Sequence, residues 1–244
     1  IDVREGDEVI LPPQTFVATG IVIVQRGPTP VFADIQLDTG NIDPKSVEAK
    51  ITKRTKAIIM VHWAGYPCDI DEITEIATRH GIVVIEDAAQ ALGATYKGNP
   101  IGGISRFTAF SFQAIKHLTT GDGGALCCLN KNEHEKARAL RWFGIDRDRS
   151  EPSELGERSF DISIAGYKYH MNDLAAALGL GNMEGLGTVF RRRKEIALRY
   201  RQCLSGVPGL RLLADDPDRE GANWLFTVLA SDRLQLIRKL KLEA

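Results

Sequence analysis

The chain has 244 residues, 43% hydrophobic and 26% charged, with 31 Lys and Arg against 32 Asp and Glu. This is the make-up of an ordinary globular protein, more than one small core needs and short for two full domains. A net charge of −1 excludes a general attraction to nucleic acid or anionic membrane, and apolar runs such as Ile21–Val24 are too short to cross a bilayer.

In chain order, Glu8–Leu11 reads as a strand stopped by Pro12 and Pro13. Val17–Gln25 is rich in β-branched residues, yet Gly27 and Pro28 follow it as a terminator, and a helix is expected. Pro30–Ile35 reads as a strand, and Asp43-Pro44 opens a helix with a cap and a first-turn proline. Ala57–Val61 is a buried strand. Asp69 and Glu72 have capping-box spacing before a helix whose inner stripe is Ile70, Ile73, Ile76 and Ala77, closed by Gly81. Ile82–Ile85 is apolar on both faces, as in a central parallel strand. Thr108–Phe112 and Ala125–Leu129 are further strands, and Glu133–Trp142 is a helix closed by Gly144.

From Ile145 to Ala165 the chain turns polar and irregular, a loop long enough to expect a function. Met171–Gly187 has helical spacing but carries four glycines, so it must lean on tertiary packing. Arg191–Leu204 is a basic amphipathic helix, followed by strands at Leu210–Leu213 and Trp224–Leu229 and a helix at Leu234–Leu240. Alternation of strands and helices predicts an α/β fold with a mostly parallel sheet over residues 1–187 and part of a small α+β domain over 188–244. With no charged-then-apolar leader, a cytoplasmic location is expected. The opening at Ile1 and the ending at Ala244 directly after a helical pattern predict a piece of a longer protein. Cys68, Cys127, Cys128 and Cys203 lack metal-site spacing and read as reduced, mostly buried thiols.

Two ionisable residues sit where open α/β sheets bind ligands, beyond the carboxyl ends of strands. Asp87 ends the Ile82–Glu86 run, and Lys116 lies between Phe110-Ser111-Phe112 and the glycine-rich Gly121–Gly124. An amine to form an imine and a carboxylate to hold a pyridinium are what pyridoxal phosphate requires. By spacing alone, a helix-capping Asp and a solvated Lys are the commoner explanation. His62 and Trp63 end a strand on the side of Asp87 and are candidates for substrate contact by position. His80, His117, His134 and the Arg191–Lys194 run read as structural or solvent-facing.

Longer strings add to these positions. Val84–Ala94 (VIEDAAQALGA) and Phe110–Gly124 (FSFQAIKHLTTGDGG), with Thr15–Thr19, Thr55–His62 and Gly166–His170 in the same order, resemble the motifs of the DegT/DnrJ/EryC1/StrS aminotransferases. The resemblance runs from about Gly6 to Tyr200. It implies fold type I of the pyridoxal-phosphate enzymes, working as a homodimer with sites at the subunit interface. It implies Lys116 as the catalytic imine lysine, Asp87 on the pyridine nitrogen and Gln90 near the ring hydroxyl. Phe16 takes the place of the aromatic on the ring face, where core packing beside Val17 is the competing role. Ser111 is implied on the phosphate. Lys168 stands where many relatives carry an Asn that reaches the phosphate of the neighbouring subunit's cofactor. Asp122 and His170 also depart from the pattern, which usually has Glu and Arg there. The family's glycine-serine-threonine phosphate loop would lie before Ile1.

The implied reaction moves an amino group from an amino acid, glutamate by expectation, to a nucleotide-linked keto-deoxysugar. An aminocyclitol or other cyclic ketone is the alternative acceptor, and a non-catalytic, cofactor-binding regulator the alternative class. Related sugar 3-dehydratases carry His at the lysine's position, which Lys116 argues against. No G-x-G-x-x-G supports a nicotinamide dehydrogenase. No metal, membrane or nucleic-acid partner is expected.

Overall fold

The computed structural model describes residues 1–146, 152–160, 162 and 164–243. Its main sheet has six strands. In chain order these are β1 (Glu8–Leu11), β2 (Thr29–Phe32), β3 (Thr55–Val61), β4 (Val83–Asp87), β7 (Phe107–Ser111) and β8 (Gly124–Cys128), with a small hairpin of β5 (Thr95–Tyr96) and β6 (Asn99–Pro100) between β4 and β7. The spatial order is β2-β1-β3-β4-β7-β8, parallel throughout except for β8, which runs antiparallel to β7.

Strand alternation divides the core. Ile10, Ile58, Met60 and Val84 point to one face, where they pack on Ile70, Ile73, Ile76 and Ala77 of α3 (Ile70–His80) and Val47 of α2 (Pro44–Lys50). Val9, Leu11, Ala57 and Ile59 point to the other, against Ile23 of α1 (Val17–Arg26). The segment expected to be helical despite its β-branched residues is this α1. It stops at Gly27, whose φ of 100° lies in the left-handed region that glycine tolerates.

α2 begins as expected, with the Asp43 carboxylate accepting from the Lys45 N–H at 3.1 Å. α3 does not. Asp69 makes no side-chain cap bond, because its carboxylate instead accepts from Arg219 at 2.9 Å and Gln36 at 2.8 Å. A long-range guanidinium outcompetes the local N–H, since bonds to charged partners are the stronger ones.

Beyond α4 (Lys131–Leu140), the irregular stretch Ile145–Ala165 lies partly outside the described residues. α5 (Asp173–Met183) and α6 (Leu186–Leu204) follow. After them β9 (Leu210–Leu212) pairs with β11 (Val228–Ala230), flanked by α7 (Arg233–Glu243). The strand expected at Trp224 starts four residues later, because the Ala222–Leu225 backbone bonds to the Ala64–Gly65 turn. The short β10 (Arg219–Glu220) likewise returns to pair with β5. The thiols are free, but only Cys68 is buried and Cys203 is exposed. No helix of the described residues is long and apolar enough to cross a membrane.

Candidate functional site

Parallel strands bring their carboxyl ends to one edge, and β4 ends there at Asp87. The carboxylate is held at both oxygens. Oδ2 accepts from the Thr19 hydroxyl at 2.7 Å and Oδ1 from the Ala89 N–H at 3.1 Å. Thr19 lies buried on the first turns of α1 and shares a 2.7 Å bond with the Thr15 hydroxyl. The two threonines therefore link the start of α1 to the end of β4.

Phe16 occupies the N-cap of the same helix and is 72% exposed, which rules out the core-packing role. Ser111 ends β7, two residues beyond Ala109, the residue that pairs with Asp87. Its hydroxyl accepts from the Gln113 N–H at 3.3 Å. Gln90 is buried, with its side-chain carbonyl accepting from the Ala64 N–H at 2.7 Å.

Lys116 stands in the loop that joins β7 to β8. Bonds from Phe112 N to Gly123 O (2.8 Å) and from Thr120 N to Phe112 O (2.9 Å) pinch the base of that loop. The Lys116 ammonium sits 4.1 Å from the centre of the Trp224 ring. Burial lowers its pKa below the ordinary lysine value, and the charge of Asp87 offsets part of that. The next residue, His117, is buried and donates from Nε2 to the Ala222 carbonyl at 2.8 Å. Burial, then the charges of Arg193 and Lys116, push its pKa down to about 4 against the lift from that bond, so the ring is neutral.

Phe16, Asp87, Gln90, Ser111 and Lys116 thus gather around the ends of β4 and β7. Lys168 does not join them. Its backbone bridges Trp142, and the flanking Tyr167 and Tyr169 stack at 4.9 Å, with Tyr167 accepting from Arg26 at 3.0 Å. His170 packs edge-on to Trp142 at 3.9 Å, and Asp122 offers only its carbonyl, to Thr120.

The position-based reading of His62 fails. Its ring is fully buried, donates from Nε2 to Glu86 at 2.7 Å and accepts at Nδ1 from the Cys68 N–H at 3.1 Å. Glu86, also fully buried, accepts in addition from Ser105 N and Thr108 Oγ1, both at 3.1 Å. Burial raises its pKa, but the His62 bond and then these donors outweigh it and hold the carboxyl below its usual value. Strand alternation explains the difference, because Glu86 and Asp87 point to opposite faces. Trp63 lines a separate cavity of about 530 Å³ with α6 and the 213–227 segment. Among the described residues no group of three or more His, Cys, Asp and Glu could hold a metal ion.

The sequence reading missed two participants. Thr19 was visible inside the Thr15–Thr19 string, but nothing local says that its hydroxyl faces Asp87. Trp224 lies far along the chain, and no pattern ties it to Lys116.

The chain matches the model of the DegT/DnrJ/EryC1/StrS aminotransferase family over residues 1–244. The spore coat polysaccharide biosynthesis protein SpsC of Bacillus subtilis (strain 168) is 45% identical over 206 residues, 84% of this chain and 53% of that protein. The sugar aminotransferase CalS13 from Micromonospora echinospora superposes with a TM-score of 0.90 at 34% identity, over 96% of this chain and 64% of its own. Spr1654 from Streptococcus pneumoniae, in its PLP form, gives 0.87 at 32%, over 99% and 66%. The chain therefore spans about half to two thirds of the length of these relatives.

Proposed function

The chain belongs to the DegT/DnrJ/EryC1/StrS aminotransferase family, and from that premise we propose that it is the cofactor-bearing part of a pyridoxal-phosphate-dependent sugar aminotransferase. Its reaction is the transfer of an amino group from an amino acid, glutamate in this reading, to the ketone of a nucleotide-linked keto-deoxysugar. The observation that carries this reading is the convergence of Lys116 and Asp87 on one sheet edge, with an uncovered aromatic beside them. The residues fit the cofactor by chemistry. An amine suits its aldehyde, a carboxylate its ring nitrogen, a hydroxyl its phosphate, and the open Phe16 ring its flat face.

Pyridoxal phosphate, when bound, supplies an electrophilic carbonyl and a ring that accepts electrons. Asp87, fixed at both oxygens, would be the carboxylate partner of the ring nitrogen and would favour its protonated form. Gln90 has its carbonyl end committed to Ala64, which leaves its amide end for the ring hydroxyl. Ser111, whose hydroxyl oxygen accepts from the Gln113 N–H, would donate its hydroxyl hydrogen to the phosphate. Lys116 would hold the cofactor carbonyl through Nζ, and its free amine would be the group that takes and returns the proton at the donor's carbon. A lysine whose pKa is lowered by burial is suited to that step, since the free amine is the base. Lys168, apart from the cluster, is assigned to the phosphate of the neighbouring subunit's cofactor in a homodimer. The division into a cofactor domain, 1–187, and part of a small domain, 188–244, belongs to the same reading.

The test is to purify the protein with pyridoxal phosphate, record its visible absorbance and reduce it with borohydride. A band that borohydride bleaches, with the reduced pyridoxyl group on the Lys116 peptide and none in Lys116→Ala, is the expected result. Glutamate should then release 2-oxoglutarate, and a nucleotide-linked keto-sugar should be aminated. A full-length protein with no such band overturns the reading.

A further inference from the structure

The cluster contains an opposed pair, the Lys116 ammonium and the Asp87 carboxylate, close enough for the carboxylate's charge to act on the amine. Two such groups left alone fall into an ion pair, which would occupy the carboxylate and fix the lysine in its protonated form. No ion pair joins them here, and each has a neutral partner instead. Asp87 accepts from Thr19 and Ala89, while Lys116 rests over the Trp224 ring at 4.1 Å.

Trp224 is not free to leave that place. Its indole N–H donates to the Ile115 carbonyl at 3.2 Å, and its backbone N–H to the Ala64 carbonyl at 3.0 Å. Arg193 donates to its carbonyl at 3.1 Å, and Ala222 is bonded to Gly65 on one side and His117 on the other. The Ala222–Leu225 strap is thus fastened to the residues before and after Lys116 and to the turn that holds Gln90. The charged groups at this corner are Asp87 from the end of β4 and Arg193 from α6, and His117 is neutral.

We propose that Trp224 is a positioning residue for Lys116, its ring face seating the ammonium so that the lysine and Asp87 stay apart while the lysine is not bound to cofactor. A π face attracts an ammonium without neutralising it and without a directional bond, so it holds the side chain while leaving it able to give up its proton. A carboxylate would hold it too tightly. The seat comes from the second half of the chain, which makes the strap part of the site. The inference rests on the reading of Lys116 as the reactive amine, but the seat itself is measurable without cofactor.

The experiment is competitive labelling of Lys116 in cofactor-free protein with a small amine-reactive reagent across pH, read by peptide mass spectrometry. In Trp224→Leu the ammonium moves onto Asp87. Labelling at a pH below the amine's titration then slows about tenfold, the effect of an opposite charge brought into contact. Adding Asp87→Asn restores the rate, and Trp224→Phe, which keeps a ring face but loses the indole N–H, stays within about threefold of wild type. Wild-type labelling in Trp224→Leu, no rescue by Asp87→Asn, or a Phe variant as slow as the Leu variant overturns the proposal. A measurement that needs no change at Trp224 is its fluorescence against pH. The part that titrates with Lys116 should vanish in Lys116→Met, and its persistence also overturns the seat. A protein that shows the seat yet never takes up pyridoxal phosphate supports the Trp224–Lys116 seat and overturns the function.

Discussion

At the residue scale the decisive feature is how Asp87 is held. A carboxylate at a strand end is free to rotate about χ2 unless both oxygens are engaged, and here a buried threonine and a backbone N–H engage them. Replacing Thr19 by Val keeps the shape and removes a hydrogen bond to a charged group, a loss of about 1.5–3 kcal/mol in such settings. We expect Thr19→Val to weaken cofactor retention by roughly 10- to 100-fold in an absorbance titration, with Thr19→Ser restoring most of it. Retention unchanged in the Val variant would assign the threonine to packing alone. His117 makes a second prediction, on stability. Its folded pKa of about 4 lies below the ordinary histidine value of 6.5, so the unfolded chain binds the proton first as pH falls. The stabilisation is fully present above about pH 6.5 and is lost between there and about pH 4. Urea unfolding across that window should show a shallower fall in His117→Gln, which has no ring to titrate.

At the scale of elements, the glycine-bearing α5 shows how a poor helix former is retained. Gly179 is buried, and a Cβ there would meet Thr120 Cγ2 at 2.8 Å, so its bare backbone lets the helix lie against the Lys116 loop. Asn182 reinforces the contact by donating to the Thr119 carbonyl at 2.9 Å. Gly181, two residues on, faces open space, with nothing within 4 Å of where a Cβ would stand, and carries only the propensity cost. Gly181→Ala is therefore expected to stabilise the fold by about 0.5–1 kcal/mol in thermal unfolding. Gly179→Val should destabilise it by about 1–3 kcal/mol, the usual range for overpacking. Equal effects at the two positions would refute the docking argument.

For the whole molecule, one side chain fastens the second half of the chain to the first. Arg219 is nearly buried and donates to Asp69 at 2.9 Å and to the Pro67 carbonyl at 3.0 Å, with its guanidinium between the rings of Tyr66 and Tyr96. Arg219→Ala leaves the partly exposed Asp69 carboxylate with Gln36 as its remaining side-chain donor, and a loss of about 1.5–3 kcal/mol, that of a hydrogen bond to a charged group, is expected in denaturant unfolding. A loss under about 1 kcal/mol, the range of an exposed ion pair, would mean that the strap docks without it. Apolar side chains on the outer faces of α1 and α5 stay open, Leu174 at 86% exposure among them, with Val17, Val24 and Leu180. Open apolar patches of this kind mark association surfaces, and a homodimer that covers them is our expectation. Sedimentation should give a dimer, and Leu174→Asp with Leu180→Asp should shift it to monomer.

Periodicity and punctuation were enough to read the order of the main strands and helices, because a face that must be buried repeats every two or about 3.6 residues whatever it packs against. Lys116 and Asp87 stood out as candidates only through whole strings of residues, since by spacing alone each has a commoner structural explanation. Capping at Asp69, burial of His62 and the late start of β11 were not, since each turns on a partner distant in sequence: Arg219, Glu86 and the Ala64–Gly65 turn. The same holds for Thr19 and Trp224. Local sequence determines which groups are present and which face of their element they occupy. Only the tertiary fold decides which oxygen a hydroxyl meets and which ring an ammonium rests on, because those contacts are made between segments whose proximity no local pattern encodes.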